Sequence, residues 1–514
     1  MNRRDFISAA GLTLASSAVE VRAGAQDFDP TEQSIAALQL ALSGGALNSE
    51  VLTQAYLWRI ARFDRHGPEY RSVLAPNPDA IAAARSLDAE RKAGKLRGPL
   101  HGIPILIKDN IETSDPVATT AGSLALAHSR RTADAPLVAR LRAAGAIVLG
   151  KSNLSEWANF RSTHSSSGWS GVGGQTRNAY ARDRTPSGSS AGSAVAAALS
   201  FCAGAIGTET NGSILSPASV NGLVGLKPTV GVVNGKGIVP ISPRQDTAGP
   251  ICRTVTDAAL LAACMADTPL GFGAHGRDVE AFRLQGVHIG VLPAAKSAHP
   301  DTARLFADAR AIFEHEGAEL LDLKPPAVFD ELDDPETLAL SYEFKAAIDS
   351  YLMGLDPTQV ECRNLADLIA FNRAHADEEL IVFGQELFET AQAQGSLAEG
   401  AYRKALTTLN RAADKQGLAA LFDHGAEVLM APCNGPAELI DAVWGDRDGG
   451  GWPQIAGAAA IAGYPSISVP AGFVSGLPVG IALVARRHQD GLLLQVARAY
   501  ERAANNRTAP HLSI

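Results

Sequence analysis

The sequence predicts an α/β protein: a single large α/β/α sandwich in which a central mixed sheet is covered by helices on both faces. Three observations carry this. Of the 514 residues, 46% are hydrophobic and 19% charged, which is enough apolar material for a large core. From Asp79 onward, stretches of helical period alternate with short apolar runs, as when strands are covered by their connecting helices. No internal repeat or low-complexity tract divides the chain, so one large unit suits its length.

Residues 1–25 stand apart. Arg3-Arg4-Asp5-Phe6-Ile7 is a twin-arginine pattern, followed by a mild apolar region from Ile7 to Val19 and the small-residue site Ala23-Gly24-Ala25. The segment reads as a twin-arginine export signal. It implies a domain spanning 26–514 that starts near Gln26, works in a periplasm or outside the cell, and has the twin-arginine machinery as its export partner. No other apolar run reaches the roughly 20 residues a bilayer span needs, so stable membrane insertion is not expected once the signal is removed.

Helical periodicity marks Thr31 to Leu42 and Asn48 to Phe63, the second opening on a capping Asn48-Ser49-Glu50. A helix from Asp79 to Lys92 precedes the turn Gly98-Pro99-Leu100-His101-Gly102 and an apolar strand ending at Lys108. Next come a helix from Ala135 to Ala144, a strand from Ala146 to Leu149, and a loop from Ser162 to Gly188. A helix follows Ser190, Ala203 to Thr208 is extended, and another helix opens near Ser213. Val255 to Met265 is helical and Val287 to Leu292 extended. Between about 325 and 424 the chain is charged and helical in period, a mostly helical insertion. Strands return at Val428 to Met430, Ser466 to Val469 and Val479 to Val484, and a helix from Asp490 to Ala503 closes the chain.

The net charge is −9 and no basic block is present, which argues against a nucleic-acid partner. The five cysteines have neither C-x-x-C nor metal-ligand spacing and read as packing residues, with room for one bridge. No H-E-x-x-H or other metal constellation appears.

The chemistry gathers in Gly188-Ser189-Ser190-Ala191-Gly192-Ser193 and Gly207-Thr208-Glu209-Thr210-Asn211-Gly212-Ser213. Gly and Ser let backbone approach a ligand and aim N–H groups at an anion. Each stretch also carries a hydroxyl that attacks a carbonyl once a base removes its proton. The base these residues suggest is Lys108. The run Ile103-Pro104-Ile105-Leu106-Ile107-Lys108 carries one ammonium into an interior, where desolvation lowers a lysine pKa toward neutrality.

Lys108-Asp109-Asn110, Gly188-Ser189-Ser190 and Gly212-Ser213-Ile214 resemble the motifs of the amidase signature family. The likeness continues, in family order, through Gly150-Lys151-Ser152-Asn153-Leu154-Ser155-Glu156, Gly173-Gly174-Gln175-Thr176-Arg177-Asn178 and Gly225-Leu226-Lys227-Pro228-Thr229. Glu156-Trp157-Ala158-Asn159-Phe160, Gln245-Asp246-Thr247-Ala248-Gly249-Pro250 and Phe371-Asn372-Arg373-Ala374-His375-Ala376 are similar to the family's bacterial peptide amidase branch. The resemblance implies a triad of Ser213 as nucleophile, Ser189 as bridging serine after a cis Gly188–Ser189 bond, and Lys108 as base. It implies an oxyanion hole from the N–H groups of Thr210, Asn211, Gly212 and Ser213. Ser190 is expected to support the site near Asn211, and Asp109 to orient Lys108. The loops from Ser162 to Gly174 and Gln245 to Pro250, with the helical insertion, are expected to shape the pocket.

Two local patterns compete. Gly145-Ala146-Ile147-Val148-Leu149-Gly150-Lys151-Ser152 fits a phosphate-binding loop, but its Ala-Ile-Val-Leu interior belongs in a buried strand. Gly188-Ser189-Ser190-Ala191-Gly192 fits the nucleophile elbow of an esterase with Ser190 attacking, but the polar, proline-broken run from Asn178 to Pro186 lacks the required strand. The reading that emerges is an exported amidase that needs no metal or cofactor. It would cleave carboxamides, above all C-terminal peptide amides, through a serine acyl-enzyme and release ammonia. An esterase using Ser190 and a non-catalytic periplasmic binding protein are the alternatives. A transfer-RNA amidotransferase subunit shares the signature but suits neither export nor the absent basic face.

Overall fold

The computed structural model describes residues 28–270, 277–294, 298–446 and 454–512. Residues 1–25, where an export signal is expected, and the expected cleavage site lie outside them. Among the described residues there are thirteen strands: β1 (Val73–Pro76), β2 (Pro104–Lys108), β3 (Ile147–Ser152), β4 (Trp169–Ser170), β5 (Gly174–Gln175), β6 (Gly204–Glu209), β7 (Val224–Lys227), β8 (Thr247–Cys252), β9 (His288–Val291), β10 (Glu319–Asp322), β11 (Val428–Pro432), β12 (Ser466–Val474) and β13 (Leu477–Ala485). β4 and β5 pair with each other, and the rest form one 11-stranded sheet in the order β1-β3-β2-β6-β8-β7-β12-β13-β11-β9-β10.

The sheet is mixed. β2 runs parallel to both β3 and β6, and β9 to both β10 and β11, while β6–β8, β7–β8, β7–β12 and β12–β13 are antiparallel. Every residue of β2, β3, β6, β7 and β8 is buried. Neighbouring residues on a strand face opposite sides, so this unbroken burial means that both faces of the sheet are covered. The α/β sandwich expected from the alternation is the observed fold.

Several elements lack an assignment from sequence, among them β1, β7, β8, β10 and the helices Pro300–His315 and Gln454–Ala462. β8 reads Thr-Ala-Gly-Pro-Ile-Cys, and Gly and Pro normally argue against a central strand. Here Gly249 is required, because a Cβ there would lie 2.0 Å from the Leu226 carbonyl oxygen on β7. The run resembling a phosphate-binding loop is indeed β3, with Lys151 wholly buried. All five cysteines are free thiols.

Between β10 and β11 the chain forms the helices Asp333–Met353, Leu365–Ala374, Ala376–Glu379, Glu386–Gln392, Gly400–Leu409 and Ala419–Phe422, with a π-helical stretch Asn410–Leu418. Their carboxylates hold distant loops. Arg161, fully buried, binds Glu156 and lies 3.2 Å from Glu379, and its guanidinium sits 4.2 Å over the Phe383 ring. Ser162 Oγ donates to Glu386 at 2.6 Å, and Arg244 Nε to Glu343 at 2.9 Å. Among the described residues no helix is long and apolar enough to cross a membrane.

The helix Ala191–Ala198 is the element that brings the serine-rich stretch to the sheet. Its residues are all small or β-branched and all buried. Ser193 Oγ lies 2.7 Å from Ser152 Oγ on β3 and donates to the Ile206 carbonyl on β6 at 3.1 Å. At Gly192 an added Cβ would meet the Ser72 oxygen at 2.3 Å and the Asn153 nitrogen and oxygen at 2.5 Å. These are backbone atoms and do not swing away. Gly192→Ala is therefore expected to lower stability by about 1–3 kcal/mol and to reduce activity by shifting Ser189; unchanged chemical denaturation would contradict this packing.

Candidate active site

Lys108 is the last residue of β2, and Thr208 and Glu209 end its parallel neighbour β6. Parallel strands finish on the same side, so both deliver side chains to one crevice at their carboxyl ends, where α/β sheets bind ligands. Ser189 and Ser190 reach that crevice from the N-terminus of the helix Ala191–Ala198, and the Gly188–Ser189 peptide bond is cis.

Lys108 is fully buried. Its Nζ lies 2.7 Å from Ser189 Oγ, 2.8 Å from Thr208 Oγ1 and 3.3 Å from the Thr208 carbonyl oxygen. Burial pulls its pKa down to about 7, against the opposing pull of the Asp246 and Glu209 carboxylates. Thr208 Oγ1 is itself held by Asn110 Nδ2 at 2.9 Å. Thr208, Asn110 and Asp246 are site residues that sequence reasoning missed. Asn110 lies in the Lys108-Asp109-Asn110 motif, and Thr208 in the same glycine-rich stretch as Ser213, but only the pairing of β2 with β6 shows that they meet.

Ser213 is 8% exposed, and its carbonyl oxygen accepts from the Ser190 N–H at 3.2 Å, which fixes the two serine stretches side by side. The expected chain of hydroxyls is present in its first link and not in its second. Among the described residues Ser213 Oγ makes no hydrogen bond, to Ser189 or to any other group. Such contacts often close only once substrate is bound. The N–H groups of Thr210, Asn211, Gly212 and Ser213 donate to no protein acceptor among the described residues. Gly212 takes φ +85°, a left-handed turn that suits glycine. The Glu209 carboxylate instead accepts the Ile214 and Leu215 N–H groups at 2.8 and 3.1 Å and anchors the far side of this loop.

Two supporting roles differ from expectation. Ser190 does not reach Asn211: its Oγ donates to the Thr208 carbonyl at 3.0 Å and accepts the Thr208 N–H at 3.2 Å. That occupies the hydroxyl in locking the helix to β6, so the elbow reading with Ser190 attacking has no geometric support. Asp109 does not orient Lys108. Its carboxylate accepts from Thr120 and faces Lys151 at 3.6 Å, because successive residues at a strand end point to opposite sides. Burial raises the Asp109 pKa and lowers that of Lys151, each opposed by the other's charge.

Among the described residues three lysines are fully buried, and they are not equivalent. Lys151 Nζ contacts Thr119 Oγ1 at 3.0 Å and the Ile111 carbonyl, and Lys227 Nζ the Pro228 carbonyl at 3.2 Å. Among the described residues Lys108 is the one of the three that meets a serine hydroxyl. An amine with its pKa lowered to about 7 beside a hydroxyl, a second hydroxyl on an adjoining loop, and a row of free N–H groups can together deprotonate an alcohol and stabilise an oxyanion.

The amidase family model matches residues 51–494. A probable amidase of Arabidopsis thaliana is 37% identical over 528 residues, covering 98% of this chain and 96% of its own. The peptide amidase PAM bound to the competitive inhibitor chymostatin matches the fold with TM-score 0.89 and 45% identity, over 94% of this chain and 100% of that one. Native peptide amidase from Stenotrophomonas maltophilia gives 0.88 and 44%, over 94% and 99%. With sequence, fold and crevice agreeing over nearly the whole length, the chain belongs to the amidase family and is a hydrolase of amide bonds.

Proposed function

We propose that this amidase hydrolyses C-terminal carboxamides of peptides through an acyl-enzyme on Ser213, releasing the free acid and ammonia. The observation that carries the reading is the fully buried Lys108, its pKa lowered to about 7 and its nitrogen 2.7 Å from the Ser189 hydroxyl. A neutral amine has two N–H donors and one lone pair. Thr208 Oγ1 and the Thr208 carbonyl take the donors, which leaves the lone pair to accept the Ser189 O–H.

When substrate binds, the Ser213 hydroxyl turns to donate to Ser189. Ser213 Oγ attacks the carbonyl carbon; its proton passes to Ser189 as the Ser189 proton passes to Lys108. The oxyanion is held by the N–H groups from Thr210 to Ser213, an arrangement in which one donor is typically worth about 3–4 kcal/mol of barrier. The relay then runs backward and protonates the leaving nitrogen. The C–N bond breaks, ammonia departs, and an ester to Ser213 remains. Water gives its proton to the same relay, attacks the ester, and the acid leaves as Ser213 regains its proton. The likeness to the peptide amidases supports a peptide carboxamide substrate, and the carboxylate-tethered loops around Ser162 and Arg244 suit a wall for a peptide. The Arg3-Arg4-Asp5-Phe6-Ile7 pattern supports export.

Ser213→Ala and Lys108→Ala are each expected to lower kcat on a peptide amide by about 10⁴-fold or more, with thermal unfolding near that of the parent; turnover within tenfold of the parent in either variant would sink the assignment. The pH profile has a definite sign. An ammonium has no lone pair, so kcat/KM should fall tenfold per pH unit below the Lys108 pKa of about 7 and level off above it; a profile flat through that pH counts against Lys108. Protein recovered from the periplasm of an expressing bacterium should begin near Gln26, and an intact Met1 there would reject the export signal.

A further inference from the structure

Beside the loop from Thr210 to Ser213 lies a cluster of hydrogen-bond acceptors with too few donors. Glu336, on the helix Asp333–Met353 and 9% exposed, accepts from Asn211 Nδ2 through both oxygens at 3.0 Å and from Gln245 Nε2 at 2.7 Å. Gln245 Nε2 also reaches the Thr210 carbonyl at 3.3 Å. These contacts fix how both amides point, since turning either would set an amide oxygen against a carboxylate. The two amide oxygens, Asn211 Oδ1 and Gln245 Oε1, are then directed elsewhere, and both are buried without a hydrogen-bond partner. Glu209 Oε1, at the start of the same loop, is buried and unpartnered too.

Buried acceptors are nearly always satisfied. The same loop presents the opposite surplus in its four backbone N–H groups, which donate to nothing among the described residues. One group answers both. A primary carboxamide accepts through its oxygen and donates twice through its NH₂. We propose that Asn211 and Gln245, held in place by Glu336, form the subsite for the NH₂ of a primary carboxamide and make the enzyme select amides over esters.

This rests on the Ser213 reading above. Asn211 and Gln245 would touch substrate, and Glu336 is a positioning residue that acts through them. A methyl ester brings no N–H, so it leaves both amide oxygens unmet, and a site built to bond an N–H discriminates strongly against such an analogue. The free-acid product would set a carboxylate against the same acceptors, which favours its departure.

The test uses Ser213→Ala protein, so that ligands bind without turnover, titrated by calorimetry with N-acetyl-leucine amide and N-acetyl-leucine methyl ester. The amide should bind at least tenfold more tightly. Adding Gln245→Met should cut the margin below threefold by weakening amide binding alone, and adding Glu336→Gln, which frees both amides to turn, should do the same. Equal binding of the two ligands, no measurable amide binding, or a parallel loss for both ligands in the double variants overturns the inference. Thermal unfolding of each variant checks its fold, and if Gln245→Met does not fold, Glu336→Gln decides alone. Substantial turnover by Ser213→Ala would strike the reaction assignment instead, which the ligand comparison leaves untouched.

Discussion

Lys108 sits at the end of a strand with no solvent contact and with its nitrogen enclosed by Ser189 and Thr208. An ammonium so placed loses hydration that three neutral oxygens only partly replace, and this lowers its pKa. The carboxylates of Asp246 and Glu209 pull the other way and stop the amine from becoming still less basic. Much of the architecture serves this environment. β2 lies between β3 and β6 with every residue buried, and the small residues of the helix Ala191–Ala198 allow its N-terminus to sit directly on β3 and β6.

Around that centre the molecule uses buried and partly buried carboxylates as fasteners. Glu156 and Glu379 share the guanidinium of Arg161, Glu343 holds Ser242 and Arg244, and Asp246 accepts from Thr210 and from the backbone of Ile241 and Ser242. Burying charge is costly unless it is paired and hydrogen-bonded, and removing one partner leaves the other exposed to that cost. Burial pushes Glu156 well above the usual carboxylate range despite Arg161, and raises Asp246 to about 6 despite its hydrogen bonds. The contacts of Glu379 and Glu343 tie the helical segment between β10 and β11 to Arg161, Ser242 and Arg244.

Residues close in sequence were the easiest to read. The apolar run into Lys108, the Gly-Ser turns and the helical periods from Val255 to Met265 and from Asp490 onward each declare themselves within a few residues. β7 and β8 did not, because Gly225 makes room for Ile214 and Ala218 and Gly249 for Leu226 on β7, and both glycines weaken the local pattern. Asp109 and Ser190 were assigned the wrong partners for a related reason. Adjacency to Lys108 suggested a contact, yet alternation along the strand sends the Asp109 side chain to Lys151, and the helix register sends Ser190 to Thr208.

By itself the sequence determined the chemistry on offer: one lysine closing an apolar strand, serines on glycine-rich turns, and enough alternating apolar segments to enclose them in an α/β sheet. These depend on side-chain type and short-range spacing, which the chain carries with it. The tertiary structure alone decided who meets whom. Lys108 and Thr208 are 100 positions apart, and Asn211 and Glu336 are 125. Contacts at such separations arise from the order in which strands pair and helices dock, and the amine acquires its lowered basicity only when that assembly has excluded water.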